Sequence, residues 1–402
     1  MVRTASLFSQ LLSEIPRVEF EKLVRKHGTE RRSKGFTSWN QLVAMLFCHL
    51  AGADSLREIC NGISCCLGKL VHLGVDRRPN KSTLAYANAH RSADLFEDLL
   101  WAVLRRFRSC GHLPQRQHRF RFKNKLFSID STTISLCLSL FPWADFRRSK
   151  GGVKVHVLLD HDDYMPAFAA ISEAKRNDVR VMKTLRFNPG SIVAFDAAYN
   201  DYKRFGEWTQ RGVFFVTRMK RDAVYEVIEN RRVPSNRNIL FDQIIRLTGQ
   251  RAPGRCPHPL RRVVVWDREN DREIVLLTNH FEFGATTISA IYKDRWQIEL
   301  FFKALKQNLK IKTFIGTTEN ALRIQIWTAL LALVILKWLH YLSRASWSFS
   351  NLASLLRLNL FTYRDLIQWL NHPFETPPLV PLPQQLSLAM PGFGQPPTDH
   401  RR

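Results

Sequence analysis

The chain has 402 residues, enough to bury a large core and to form two or three domains. It carries 60 Lys and Arg against 35 Asp and Glu, which gives a formal net charge of +25 at pH 7. This excess predicts a polyanionic partner. Nucleic acid is favoured over a membrane surface, because the basic residues are spread along the chain rather than clustered beside an apolar anchor.

The cysteine pattern favours reduced thiols in a cytoplasm. The chain has seven Cys, an odd number, most of them among apolar residues, and no secretory signal is recognised before them. Cys60, Cys65, Cys66 and His72 lie close together in sequence, but they lack the CxxC repeat that is typical of zinc sites. We therefore expect a cytoplasmic protein without a zinc site.

Residues 1–110 are predicted to form an all-helical N-terminal domain. Apolar residues recur at helical spacing, and suitable N-cap residues precede three of the predicted helices. These candidate caps are Thr37 or Ser38, Ser55, and Asn80 or Ser82.

The last of these short helices, residues 80–91, is polar and could enter a DNA groove. Its candidate contact residues are Lys81, Tyr86, Asn88, His90 and Arg91. The alternative is an ordinary helical domain with a polar surface.

A basic segment follows. Between Arg105 and Lys125 there are eight Lys and Arg and no acid. Because cations neutralise phosphates and release counterions, residues 111–125 are interpreted as a basic linker that follows DNA. A linker that is merely solvated is the alternative.

The hydrophobic period changes at residue 126, where strands begin to alternate with helices. The predicted order over residues 126–217 is β-β-β-α-β-α-β, and it indicates an α/β catalytic domain. This is the order of the ribonuclease-H-like fold, a mixed five-stranded sheet with flanking helices. The predicted strands are 126–130, 152–159, 165–171, 191–195 and 212–216, and the helices lie near 178–185 and 199–211.

The remaining chain is divided into three parts. Residues 218–285 are predicted to be a β-rich insertion with strands at 223–229, 262–266 and 273–278. Residues 286–370 would complete the catalytic domain with helices, including a buried apolar helix at 324–342 that is favoured over a membrane span. Residues 371–402 are proline-rich and are predicted to be a disordered tail.

One polar face of a predicted helix carries a spaced set of functional groups, Tyr-x2-Arg-x3-Glu-x6-Lys. On an α-helix these four side chains fall within an arc of about 60°. The neighbouring arc is apolar and should face a core. A solvated set of charges is the alternative. The polar residues are Tyr292, Arg295, Glu299 and Lys306, and the apolar ones are Ile291, Ile298, Phe302, Leu305 and Leu309.

Three acids occupy positions where a metal site could form. Asp130 is predicted to end the first strand and Asp196 to follow the fourth, while Glu299 comes from the helix. Ligand sites of α/β sheets gather at such strand ends. Three carboxylates would suit two Mg²⁺ or Mn²⁺ ions about 4 Å apart. Taken singly, acids at strand ends are often only turn residues.

Together these motifs resemble the DDE transposases of the insertion-sequence-4 family. The Tyr-x2-Arg-x3-Glu-x6-Lys signature is the most specific mark of that family. Asp130 in Asp-Ser-Thr and Asp196 in Phe-Asp-Ala-Ala-Tyr match its first and second acids, and Glu299 matches the third. The helical front end is similar to the domain that precedes the core in one branch, so the resemblance covers about residues 1–370.

The resemblance implies a bacterial, nucleoid-associated transposase that binds the terminal inverted repeats of its element. It would cut the ends and join the 3′ ends to target DNA, acting as a dimer or larger synaptic complex. Two divalent ions, Mg²⁺ or Mn²⁺, would be held by Asp130, Asp196 and Glu299. Phosphates would be bound by Tyr292, Arg295 and Lys306.

Two other functions remain open from the sequence. The first is a ribonuclease-H-like nuclease that hydrolyses DNA without strand transfer. The second is a domesticated DNA-binding protein without catalysis.

Overall fold

The structure is a computed structural model that describes most of residues 5–375. The predicted disordered tail falls almost entirely outside the described residues, as does much of the predicted basic linker. The residues not described are 1–4, 32, 34, 66–69, 112, 114–119, 138–140, 142, 144, 148–149, 175–177, 236–237, 250–253, 312 and 376–402.

The described residues before 110 are helical, as predicted. Three predicted N-caps are confirmed: Thr37 and Ser55 accept hydrogen bonds from the backbone N–H three residues on, and Asn80 accepts from the N–H of Ser82. A π-helical turn, Cys48–Gly52, extends the third helix. The helices are α1 Leu7–Ser13, α2 Arg17–His27, α3 Ser38–Phe47, α4 Leu56–Ser64, α5 Lys81–His90 and α6 Asp94–Ser109.

The predicted DNA-contacting face of α5 is only partly correct. Asn88 is buried and accepts a hydrogen bond from Gln41 Nε2 (2.8 Å). Arg91 is half-buried and donates to the Thr37 carbonyl oxygen (2.9 Å). Both residues are on the side of α5 that packs into the helical core. Three of the five predicted contact residues are exposed, namely Lys81, Tyr86 and His90.

The β-sheet is built from strands of residues 126–278. Between residues 126 and 217 the observed elements follow the predicted order, with one additional short strand, β2. The strands are β1 Leu126–Leu136, β2 Asp145–Arg147, β3 Lys150–Asp160, β4 Met165–Glu173, β5 Ile192–Phe195, β6 Phe214–Arg218, β7 Tyr225–Asn230, β8 Ile239–Leu247, β9 Leu260–Asp267 and β10 Arg272–Thr278, with helices α7 Asp178–Met182 and α8 Tyr202–Gln210.

The first half of the sheet has the strand order β4-β3-β1-β5-β6. The β1–β3 and β3–β4 pairs are antiparallel, whereas β1–β5 and β5–β6 are parallel. Parallel neighbours end at the same edge of the sheet, so the loops after β5 and β6 lie side by side.

Residues 218–285 form strands, as predicted, but the sheet has more than the five strands predicted for it. The strands of the insertion continue the same sheet in the order β6-β10-β9-β8-β7, which makes ten strands in the described part of the chain. They do so because β10 pairs with the open edge of β6 and satisfies its backbone groups. Strand β8 was absent from the prediction, since a register shift between Ile239 and Phe241 disturbs its apolar alternation.

The basic segment before the sheet is partly neutralised by the turn between β3 and β4. Arg108 Nε lies 2.7 Å from Asp163 Oδ2, and Lys125 Nζ lies 3.3 Å from Asp160 Oδ2. These two cations are therefore engaged in ion pairs within the protein.

Helices α10–α13 pack together with the N-terminal ones in one hydrophobic core, whereas the buried residues of α9 pack against the sheet. Helix α11 is long and apolar enough to cross a membrane, but 89% of its most apolar window is buried within the protein. The prediction of a buried core helix is thus confirmed. The helices are α9 Ala285–Asp294, α10 Trp296–Asn308, α11 Glu319–Leu342, α12 Phe349–Asn359 and α13 Leu366–Asn371.

A buried ion pair joins β8 to β9. Arg261 and Asp242 are only 1% and 4% exposed, and two N···O contacts of 2.8 Å join them in bidentate geometry. The Arg261 guanidinium also donates to the His280 carbonyl oxygen (3.2 Å), which lies on the connection to α9. The pair therefore fixes the extended half of the sheet to the chain that enters the signature helices.

We expect Asp242→Ala to destabilise the protein by about 3–5 kcal/mol, because the guanidinium of Arg261 would be left buried and uncompensated. Urea unfolding followed by circular dichroism measures the loss. Glu226→Ala is the matched control: it removes an exposed β7–β8 pair with Arg246 (3.0 Å), which should cost no more than about 1 kcal/mol. Equal losses in the two variants would contradict the role of the buried pair.

Candidate active site

Asp130 lies within β1 rather than at its end, so this detail of the prediction is wrong. The strand continues to Leu136 because it stays paired with β3 along its whole length. The parallel neighbour β5, however, ends at Phe195, which pairs with Ile129. Asp130 is therefore the first residue of β1 beyond the parallel part of the sheet, and its carboxylate lies at the edge that β5 leaves open.

Asp196 directly follows β5, as predicted, and precedes a short 3₁₀ turn, Ala197–Tyr199. Since Phe195 pairs in parallel with Ile129, Asp196 and Asp130 come at the same level on neighbouring strands. The chain beyond Asp196 is held by Asn200, whose Nδ2 donates to the Arg218 carbonyl oxygen (2.9 Å) at the end of β6.

The segment with the signature is two helices, not the single helix that was predicted. Helix α9 ends at Asp294 and α10 begins at Trp296, with Arg295 between them. The Arg295 N–H is shared between the Ile291 and Tyr292 carbonyls, both at 3.3 Å, and Ile298 N–H donates to the Arg295 carbonyl (3.0 Å). The tightened turn preserves the predicted apolar stripe, since all five residues of that stripe are buried.

Arg295 connects the first and third acids. Its Nη2 lies 2.8 Å from Glu299 Oε1 and its Nη1 lies 3.8 Å from Asp130 Oδ2. The side chain is only 11% exposed. This guanidinium therefore holds a helix carboxylate and a strand carboxylate at one place.

Asp196 is contacted by two further residues. Tyr292 donates its hydroxyl hydrogen to Asp196 Oδ1 (3.4 Å), and Arg218 Nη1 lies 4.0 Å from the same oxygen. Burial raises the pKa of Tyr292 to about 12, so its hydroxyl remains a donor at neutral pH. Sequence reasoning missed Arg218, although its position at the end of a parallel strand beside β5 was a usable signal.

Lys306 contacts β1 farther along the strand than the other signature residues do. Its Nζ donates to the Thr133 carbonyl oxygen (3.1 Å), three residues beyond Asp130. The structure thus brings Asp130, Asp196, Glu299, Tyr292 and Arg295 together, and Lys306 of α10 contacts β1 next to them.

Burial and neighbouring acids disfavour the ionised form of Asp130. Burial is the largest cause that raises the pKa of this carboxyl to about 6, and Glu299 and Asp196 raise it further. The Ser131 N–H, at 2.8 Å, and Arg295 oppose this effect. The balance favours the protonated acid more than in water, as expected where several carboxylates share one guanidinium.

In the described residues, no three His, Cys, Asp or Glu side chains lie close enough together to form a ready metal site. Asp130 and Glu299 instead contact Arg295, and Asp196 contacts Tyr292 and Arg218. The chemistry of the three acids nevertheless fits a hard divalent cation, since carboxylate oxygens are its preferred ligands. Such a cation would also favour the ionised form of Asp130, whose pKa is raised by burial and by the neighbouring acids.

Comparison with protein families gives two matches. Residues 121–335 match the family described as Transposase DDE domain. Residues 3–76 match a domain of unknown function, DUF4372. The first match spans all six predicted site residues and more than half of the chain.

Similar proteins carry transposase names. The chain is 34% identical over 295 residues to y4zB of Sinorhizobium fredii, named as a transposase, covering 72% of this chain and 79% of that protein. It is 32% identical over 229 residues to a Geobacillus stearothermophilus protein named for insertion sequence element IS5377, covering 56% and 59%. It is 26% identical over 280 residues to a Synechocystis sp. protein named for element IS4SA, covering 64% and 71%.

Among solved structures, the chain is similar to the piggyBac transposase in its synaptic complex with hairpin DNA. The match covers 90% of this chain and 80% of that one, with 11% identity and a TM-score of 0.40. At this TM-score the similarity carries no argument about this chain.

The family matches and the named relatives confirm the resemblance that the motifs indicated. The chain belongs to the DDE transposase family and is a transposase of the insertion-sequence type.

Proposed function

We propose that this transposase binds the terminal inverted repeats of its element and catalyses metal-dependent cleavage and strand transfer. Asp130, Asp196 and Glu299 would hold two divalent ions, Mg²⁺ or Mn²⁺. One observation carries the proposal: the signature helices contact all three acids, through Arg295 to Asp130 and Glu299 and through Tyr292 to Asp196. A helix face that was only solvated would not be expected to contact carboxylates of the sheet.

The proposed reaction has two steps. In cleavage, a water oxygen attacks a phosphorus atom at the element end, and the bond to the 3′ oxygen breaks to leave a 3′-hydroxyl and a 5′-phosphate. In strand transfer, that hydroxyl attacks a target phosphodiester and displaces the target's own 3′ oxygen. Asp130, Asp196 and Glu299 would hold the metal pair, which would supply activation of the attacking oxygen and stabilisation of the leaving one.

Tyr292, Arg295 and Lys306 are proposed to bind phosphates beside the cut. Arg295 offers a planar guanidinium, whose geometry suits a phosphate. Lys306 contributes a point charge farther along β1. The DNA backbone would therefore lie along the line from Asp196 to Thr133.

The fold and organisation of the chain are proposed to serve this reaction. The strand order β4-β3-β1-β5-β6, with its mixed pairing, supports a ribonuclease-H-like core. Residues 1–110 would bind DNA through the exposed face of α5, which carries Lys81, Tyr86 and His90. Two or more copies would assemble on the ends, in the cytoplasm and at the nucleoid of a bacterium.

The first prediction from the proposed function concerns how the stability of the metal-free protein depends on pH. The folded pKa of Asp130 is about 6, above the ordinary value of 3.8. The unfolded chain therefore loses this proton first, and stability falls as pH rises from about 4 to about 6. Asp130→Asn should be more stable than wild type at pH 8, by on the order of 2–3 kcal/mol, with no difference near pH 3.5. Urea unfolding in EDTA measures this; an equal offset at both pH values would contradict it.

The second prediction concerns metal binding without DNA. Mg²⁺ that binds only the folded site stabilises it by mass action. Millimolar Mg²⁺ should raise the thermal midpoint of the wild type and leave that of Asp130→Asn unchanged, as read by differential scanning fluorimetry. Glu273→Gln, at an exposed acid of β10, is the control and should respond like the wild type.

The third prediction concerns catalysis. Asp196→Asn and Glu299→Gln should each slow cleavage of DNA that bears the element ends by at least about a thousandfold, because several kcal/mol of transition-state stabilisation is lost. End binding in gel-shift assays should persist, and Glu273→Gln should cleave normally. Retained cleavage in either site variant would overturn the roles of the acids.

The products separate this proposal from its alternatives. Joined target DNA supports transposition, whereas cleavage without joining identifies a nuclease. Tight binding to the ends without cleavage in Mg²⁺ or Mn²⁺ identifies a non-catalytic DNA-binding protein.

A further inference from the structure

Behind the candidate active site, three side chains are linked in series. Ser128 Oγ lies 2.6 Å from His161 Nε2, and His161 Nδ1 lies 2.7 Å from Asp294 Oδ2. Because an ionised carboxylate only accepts hydrogen bonds, His161 Nδ1–H donates to Asp294. The Nε2 atom of a neutral ring then accepts the hydrogen of the Ser128 hydroxyl.

These residues have the order of a Ser-His-Asp triad, but they are sealed from solvent. Ser128 is 0%, His161 6% and Asp294 2% exposed. A nucleophilic serine must reach a substrate atom, which this buried hydroxyl cannot do. The series therefore acts on the structure around it rather than on DNA.

The two ends of the series adjoin the candidate active site. Ser128 lies two residues before Asp130, on the same face of β1. Asp294 is the last residue of α9 and directly precedes Arg295. The hydrogen bonds thus connect the strand that carries the first acid to the helix end that presents the guanidinium.

The middle of the series is held in place by its own turn. The His161 backbone N–H donates to the Leu126 carbonyl oxygen (3.0 Å) at the start of β1. Tyr164, in the same turn, has a left-handed φ of 50° and approaches Asp294 Oδ2 with its hydroxyl at 3.5 Å.

The turn is also held from the helical core. Tyr341 of α11 donates to the Asp163 carbonyl oxygen (3.1 Å), and Arg108 of α6 pairs with the Asp163 carboxylate. His161 is therefore attached to a rigid body, because strand pairing and two core helices fix the turn that carries it.

We propose that Ser128, His161 and Asp294 form a positioning relay for the DDE site. The relay fixes the angle between α9 and α10 above β1, so that Arg295 and Glu299 face Asp130. This inference rests on the proposed function of the acids. It adds three positioning residues, none of which contacts the reacting atoms.

The test compares His161→Phe with the wild type. Phenylalanine keeps a ring of similar size but removes both hydrogen bonds. We expect single-turnover cleavage of DNA ends in saturating Mg²⁺ to slow by about 10–100-fold, the usual effect of losing a residue that orients site ligands. Affinity for the ends should fall much less than the rate, because the proposed DNA contacts of α5 lie outside the segment that the relay positions.

A double-variant cycle tests whether the residues act as one unit. If they do, His161→Phe combined with Asp294→Asn should cleave no more slowly than the more impaired single variant. Rate losses that multiply would contradict a single relay. Ser128→Ala is the milder variant, should His161→Phe fold poorly, and Ser128→Thr should restore the rate because it keeps the hydroxyl.

The control is His49→Phe. His49 and Thr328 are both fully buried and share a hydrogen bond of 3.1 Å between the π-helical turn and α11. This variant also removes a buried histidine hydrogen bond, so its thermal midpoint should fall comparably. Its cleavage rate should stay at the wild-type value. An equal slowing of cleavage in both variants would mean that the rate falls because the protein is destabilised in general. That result would overturn the proposal.

Hydrogen exchange provides a readout that does not need catalysis. The amides of residues 291–299 should exchange faster in His161→Phe than in either the wild type or His49→Phe. Unchanged exchange there would overturn the relay, whether or not the protein cleaves DNA. Faster exchange in a protein whose wild type cleaves no ends would instead support the relay and overturn the proposed function.

Discussion

The guanidinium of Arg295 is the group on which the arrangement of the candidate site depends. It is a buried cation that contacts the carboxylates of Asp130 and Glu299, which come from a strand and from a helix. Carboxylates that share one cation repel one another, and each is costly to bury without a counter-charge. The permanently charged guanidinium of Arg295 reduces both the repulsion and the cost of burial. Its planar geometry lets it contact two carboxylates better than a lysine ammonium could. The turn between α9 and α10 is what brings this guanidinium to the sheet.

Much of the site could be predicted from the sequence because its chemistry is local. The spacing of the signature placed Tyr292, Arg295 and Glu299 on one face, and the apolar stripe beside them gave the buried side correctly. The turn at Arg295 could not be predicted, because the helical period continues through it. The proposed relay attributes it to a tertiary contact, because Asp294 is hydrogen-bonded to His161, which is far away in the sequence.

The sheet shows a second limit of sequence patterns. Asp130 was expected at a strand end, yet β1 continues because its antiparallel partner β3 is equally long. The apolar pattern of one strand does not show where a neighbouring strand stops, and here the end of β5 creates the open edge. The ten-stranded sheet was missed for a related reason, since no property of β6 or β10 alone reveals that the two pair.

The shared core of the front and rear helices has a consequence for synthesis on the ribosome. The first helix is fastened to the far end of the described chain: the Leu7 and Phe8 N–H groups donate to the Thr362 and Leu360 carbonyl oxygens, at 3.0 and 2.8 Å. Helices α1–α6 emerge first, but α11–α13, which cover their apolar faces, are made last. Contacts between such distant segments must await synthesis of the later helices. A nascent transposase therefore cannot complete its front end before α11–α13 are made, and a product truncated before α11 lacks the surface on which that end folds.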